Sequence, residues 1–212
     1  MNVLLLLAHS IEEYDQLKLL SGLGYDVFSI GGYIDPAHPH DDKRPALPDV
    51  PFHPELKVIV DGLGTPDNLT AAKEHIPDEL LDWSDTVIVH HYEHRWLVPE
   101  WPRLRASGKR IIWRTVGQSV EGNERLMAPL RSEGLEIIRY SPKERSIPGY
   151  AGEDALIRFY KDPDEWYGWT GEDAVVANVT QSLLERDPFT NAGFYLQATE
   201  GLPAKPAGPG SE

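Results

Sequence analysis

The residues best equipped for chemistry stand at the ends of short apolar runs. His90 and His91 close the run D-T-V-I-V-H (85–90), and Arg114 closes R-I-I-W-R (110–114). Gly117, Gln118 and Ser119 follow Arg114 directly. An imidazole in such a position can exchange a proton with a substrate hydroxyl near neutral pH. A guanidinium offers five fixed donors that match a phosphate or carboxylate. Gly117 would let backbone N–H groups approach a ligand closely, with Gln118 and Ser119 adding side-chain hydrogen bonds before a helix start. His9, after the first run, and Gly31 and Gly32, after the second, occupy equivalent places. If the runs are parallel strands, all these residues gather beyond one edge of a sheet, where ligands of such sheets bind. Each also has a plainer reading: Ser119 as a helix cap, Arg114 as a surface charge, His90 as a core or capping histidine.

Metal chemistry is poorly supported. His90, His91 and His94 spell H-H-x-x-H, but there is no H-E-x-x-H order, and His90 belongs to a strand end rather than a helix. The stretch His38-Pro39-His40-Asp41-Asp42 has ligand types in a proline-rich loop, where a solvated loop is the default. The chain has no Cys, so thiolate metal sites and disulfides are excluded. Neither G-x-G-x-x-G nor G-x-x-x-x-G-K-[ST] nor G-x-S-x-G occurs, which argues against dinucleotide, P-loop and α/β-hydrolase chemistry of the usual kinds. No cofactor and no metal are expected.

The elements that must position these residues alternate. Apolar runs at 3–8, 25–30, 85–90, 110–114 and 135–139 read as strands. Between them lie helix-length amphipathic stretches at 10–20, 68–75, 78–83, 95–106 and 121–132. Ser10 and Glu13 fit an S-x-x-E capping box, and Gly22 and Gly24 end that helix. The helix at 95–106 is expected to be disturbed by Pro99 and Pro102. Residues 57–60 read as a weak strand or turn, and 33–54, with its many Pro and His, as a long irregular loop. Later stretches suggest strands at 155–159 and 174–179 and helices at 180–186 and 190–199. Strands alternating with helices imply right-handed βαβ units. The expected fold is therefore α/β: a Rossmann-like, mostly parallel sheet flanked by helices. It is expected to form a single domain over residues 1–200, followed by a Pro/Gly-rich linker or tail at 201–212.

Composition narrows the partners. The 212 residues carry a formal charge of −14, which disfavours nucleic acid as a partner. No apolar run approaches the length of a membrane span, and the apolar start lacks the basic flank of a signal peptide. A cytoplasmic, soluble protein is expected. The aromatic patch Trp166, Tyr167 and Trp169 suits packing or stacking on a sugar or base.

The strand–helix order and four segments carry a family resemblance. They are I-I-W-R-T-V-G-Q-S (111–119), S-P-K-E (141–144), I-R-F-Y-K-D-P-D-E-W-Y-G-W-T-G (157–171) and E-G-L-P-A-K-P-A-G-P-G (200–210). Together they resemble the N-terminal, acceptor-side half of glycosyltransferases of the two-Rossmann-domain GT-B class. The resemblance implies transfer from a nucleotide-sugar donor to a sugar or other acceptor. It also implies a C-terminal donor-binding domain as partner, lying beyond these 212 residues, so that this chain would be a truncated half. His90 would then be an acid/base or acceptor contact, and Arg114 would neutralise charge on the departing diphosphate. His9, Gly31, Gly32, His91, Gly117, Gln118 and Ser119 would line the substrate cleft, and metal would be dispensable. The alternative is a non-catalytic Rossmann-like binding or assembly module, which could form homo-oligomers through the face a second domain would cover.

Overall fold

The computed structural model describes residues 1–7, 10–40, 45–91, 94–115, 121–146, 149–157, 176–179, 200 and 204–207. The chain divides into two compact units, Met1–Lys161 and Asp162–Glu212. The first holds a six-stranded sheet, parallel throughout, in the order β2-β1-β3-β4-β5-β6. Its strands are β1 (Asn2–Leu6), β2 (Asp26–Ile30), β3 (Thr86–His90), β4 (Arg110–Arg114), β5 (Glu136–Arg139) and β6 (Ala155–Leu156). Helices join them: α1 (Ser10–Gly22) between β1 and β2, α2 (Pro54–Asp61), α3 (Asn68–Glu74) and α4 (Asp78–Trp83) between β2 and β3, α5 (His94–Ala106) before β4, and α6 (Glu121–Arg131) before β5. This is the Rossmann-like α/β architecture.

Each strand alternates its side chains between two apolar layers, so the runs are apolar on both faces. Leu4, Leu6, Phe28, Ile30, Val87, Val89, Ile111, Trp113 and Ile137 pack with Leu56, Val60, Leu80, Leu97, Leu104 and Met127 from α2 and α4–α6. Val3, Leu5, Val27, Ile88 and Ile112 share the other layer with Leu17 of α1 and with Tyr33, Leu47 and Val50. After β2, residues 31–40 and 45–53 are irregular, with turns and bends tied by Leu47 N–H to Pro36 O at 2.8 Å and by the Tyr33 hydroxyl to Pro45 O at 3.0 Å.

The stretch 57–60, expected as a strand or turn, is helical. Pro54 at the first helical position and Glu55 in the first turn open α2. Leu56 and Val60, four apart, are buried, whereas Val58 is 67% exposed. That is helical periodicity, which overrides the β-branched run Val58-Ile59-Val60. α5 continues through Pro99 and Pro102.

In the second unit, β7 (Val176–Val179) pairs in parallel with β8 (Ala204–Ala207). β8 lies in the stretch expected to be a linker or tail. The expected helices at 180–186 and 190–199 and the aromatic patch at 166–169 lie outside the described residues. No described helix is long and apolar enough to cross a membrane.

Candidate functional site: the carboxyl edge of the sheet

The strand order fixes where a ligand can enter. The chain runs from β1 outward to β2, then returns across β1 to β3 and continues to β4 and β5. The reversal leaves a crevice beyond the carboxyl ends of β1 and β3, the topological switch point of a doubly wound sheet. His90 is the last residue of β3. It stands in register with Arg114, the last residue of β4.

His90 is fully buried, and its Nε2 contacts a carboxylate oxygen of Glu12. Glu12 lies in the first turn of α1, 78 residues away in sequence, and its side chain is 13% exposed. A carboxylate bonded to one ring nitrogen fixes the ring and its tautomer and directs proton exchange to the other nitrogen. Arg114 is buried beside this pair. Burial pushes its guanidinium down from its ordinary value, and the negative charge of Glu12 pulls the other way. An arginine remains charged under these conditions. Imidazole, carboxylate and guanidinium thus meet at the mouth of the sheet.

His91 turns to the opposite face. Its ring stacks on Trp113, with centroids 5.6 Å apart and planes inclined by 18°. It lies in the α5–α6 layer and not beside His90. Gly31 and Gly32 serve the neighbouring carboxylate, Glu13. This side chain is 1% exposed and accepts from the Ser29 hydroxyl at 2.6 Å, Gly32 N–H at 2.9 Å and Tyr33 N–H at 3.0 Å. A Cβ on Gly31 would fall 2.4 Å from Glu13 Oε1, so only glycine lets the carboxylate in. Glu13, expected as the far half of a capping box, therefore clamps the loop after β2. His9, Gly117, Gln118 and Ser119 lie outside the described residues.

Glu13 also carries a pH signature. Burial raises its pKa above the ordinary 4.5, against the lowering effects of its three hydrogen bonds and of Lys73. Its contribution to stability is fully present below the unfolded value and is lost as pH rises through the raised folded value. A Glu13→Gln variant cannot ionise. The melting-temperature gap, wild type minus variant, should therefore shrink as pH rises from 4 toward neutrality. Melting curves across that range check this, and a gap that widens would contradict it.

A second buried carboxylate, Glu144, ties the ends of β4 and β5 together. It accepts from the Thr115 hydroxyl at 2.6 Å and from Tyr140 and Ser141 N–H at 3.0 Å each. Beneath it, the fully buried Arg139 donates to Asp154 at 2.9 Å. Arg131 joins Asp154 through two bonds at 3.0 and 2.8 Å. These groups hold the rim rigid around Arg114 and Thr115. Among the described residues, no group of three or more His, Asp or Glu is placed to hold a metal.

Lys73 is a residue that the sequence does not single out. It extends from α3 and donates to Leu7 O, at the carboxyl end of β1, at 2.9 Å. Nothing in N-L-T-A-A-K-E marks it as more than a solvated helical lysine.

No protein-family model matches the chain, and no curated protein matches it. Among solved structures, the chain is similar to one described as the glycotransferase of kitacinnamycin, with 13% identity and a TM-score of 0.38. The match covers 97% of this chain and 64% of that one. The present chain thus spans less than two thirds of its structural neighbour.

Proposed function

We propose that this chain is the acceptor-side half of a glycosyltransferase, working with a donor-binding domain that holds a nucleotide-sugar. The observation that carries the reading is the His90–Glu12 pair at the switch point, with Arg114 beside it. Deprotonating a hydroxyl for attack on a sugar needs a positioned base of this kind. The base is the imidazole of His90, whose Nε2 contacts Glu12. The acceptor oxygen would bond to the anomeric carbon while the bond to the diphosphate oxygen breaks. The hydroxyl proton passes to the imidazole, and Glu12 stabilises the imidazolium. Arg114 would offset the negative charge developing on the leaving diphosphate. Because the imidazole is enclosed, the acceptor reaches it only by displacing chain around the crevice.

The sequence segments that resemble the GT-B acceptor half support the same reading. A thermal-shift panel on the chain tests it. Phenolic and sugar acceptors should raise the melting temperature through binding to the native state, and uridine and thymidine diphosphate sugars should not. A shift with nucleotide-sugars alone would overturn the acceptor-side assignment. No shift with either class would favour a non-catalytic assembly module.

A further inference from the structure

The outer edge of β5 is only partly covered. Among the described residues, β6 pairs with it at Ile138–Ala155 and Arg139–Leu156. One residue earlier the chain turns aside, because Asp154 is drawn to Arg131 and Arg139. A cavity of about 220 Å³ opens there, beside the amino half of β5. Leu135, Ile137, Ile138, Ala155 and Ile157 give it apolar walls, and Ile157 is 47% exposed. Its charges come from Arg110, Arg131, Glu136, Glu153 and Asp154. Arg110 donates to Glu136 through two bonds, at 2.7 and 2.6 Å, and holds that carboxyl below its ordinary range. Arg131 is tied to Asp154 in the same two-pronged way. Arg139, the other cation on Asp154, is balanced by Glu144 at 3.7 Å. Glu153 is exposed and has no ion pair or side-chain hydrogen bond among the described residues. The cavity therefore carries one uncompensated charge, and it is negative.

We infer that this cavity binds a small organic cation, an ammonium group on an apolar body, with the body against Leu135, Ile137 and Ile157 and the charge met by Glu153. The volume lies below the about 300–1,000 Å³ of sites for drug-sized ligands, which limits the occupant to a fragment-sized molecule. The apolar walls supply the affinity. The lone carboxylate supplies the discrimination, because an anion on the same body would meet a like charge. Arg110 opens β4 and Arg114 closes it, so the cavity lies at the other end of that strand from the His90 crevice. It stands independently of the acceptor-side reading.

Amide NMR of the labelled chain, titrated separately with hexylammonium, hexanol and hexanoate at low salt, tests the site. Hexylammonium should bind with millimolar affinity or better. The perturbed amides should be those of Leu135, Ile137, Glu153 and Ile157. Hexanol should bind about 2–5-fold more weakly, the worth of one exposed charge pair, and hexanoate more weakly still. Added salt should narrow the gap between hexylammonium and hexanol. Glu153→Gln should bring hexylammonium down to the affinity of hexanol and leave hexanol unchanged. Glu79→Gln, at an exposed carboxylate on α4, should change neither. Ala155→Phe should fill the cavity and abolish binding of both. Absence of hexylammonium binding would overturn the inference, and so would perturbations centred elsewhere on the sheet. Equal affinity for the three probes, or the same response to Glu153→Gln and Glu79→Gln, would overturn the assignment to a cation. If Ala155→Phe fails to fold, the exposed Glu153→Gln substitution still decides.

Discussion

In the proposed glycosyltransferase, replacing His90 with alanine should lower transfer by the chain joined to its donor-binding domain by about 10²–10⁴-fold, the usual worth of a positioned general base. Glu12→Gln should fall in the same range. An amide keeps the shape of the carboxylate but loses the charge that holds the ring's tautomer and stabilises the imidazolium. The double variant should be little worse than either single one, because the two residues act as a unit. Single-turnover transfer rates for the three variants check this. Multiplicative losses would mean that His90 and Glu12 act independently and that their contact is structural only. The enclosed environment sharpens the expectation. Water cannot easily substitute for a base that is fully buried, so loss of the imidazole should not be masked by solvent.

Asp154→Ala should destabilise the first unit by about 3–5 kcal/mol, the cost of stranding a buried charge. Arg139 is fully buried and donates directly to the Asp154 carboxylate at 2.9 Å; its distance to Glu144 is 3.7 Å. The same substitution frees Arg131 and the Ala151 N–H. Asp154→Asn keeps an acceptor and should lose clearly less. Urea unfolding followed by tryptophan fluorescence measures both. A loss under 1 kcal/mol for the alanine variant would show that Glu144 and solvent hold Arg139 without help. The network matters for function because it lies under the rim that carries Thr115 and Arg114. A softened rim should reduce turnover in Asp154→Ala at temperatures well below its melting point.

Much of this architecture is legible in the residues themselves. β1, β3 and β4 are apolar on both faces, so their runs stand out from the amphipathic helices between them. The place of His90 and Arg114 at neighbouring strand ends follows from those runs alone. Their partners were not legible. Glu12 sits 78 residues from His90, and only the reversal of strand order lays the start of α1 over β3. Lys73 reaches β1 by the same crossover, from a helix with no motif. The S-x-x-E pattern misdirected the reading of Glu13, because local spacing cannot show that a carboxylate is drawn across to Gly32 and Tyr33. The pair Leu56 and Val60 did signal a helix, but the β-branched run between them masked it. Adjacency in sequence sets His91 beside His90, although neighbouring residues at a strand end face opposite ways.

Backbone-amide NMR of the labelled chain, titrated with the acceptor that gives the largest thermal shift, locates the ligand on the sheet. Perturbations should concentrate at Glu12, Gly32, His90, Arg114 and Thr115. Perturbations gathered at the opposite ends of the strands, around Asn2, Asp26, Thr86 and Arg110, would contradict an acceptor site at the carboxyl edge.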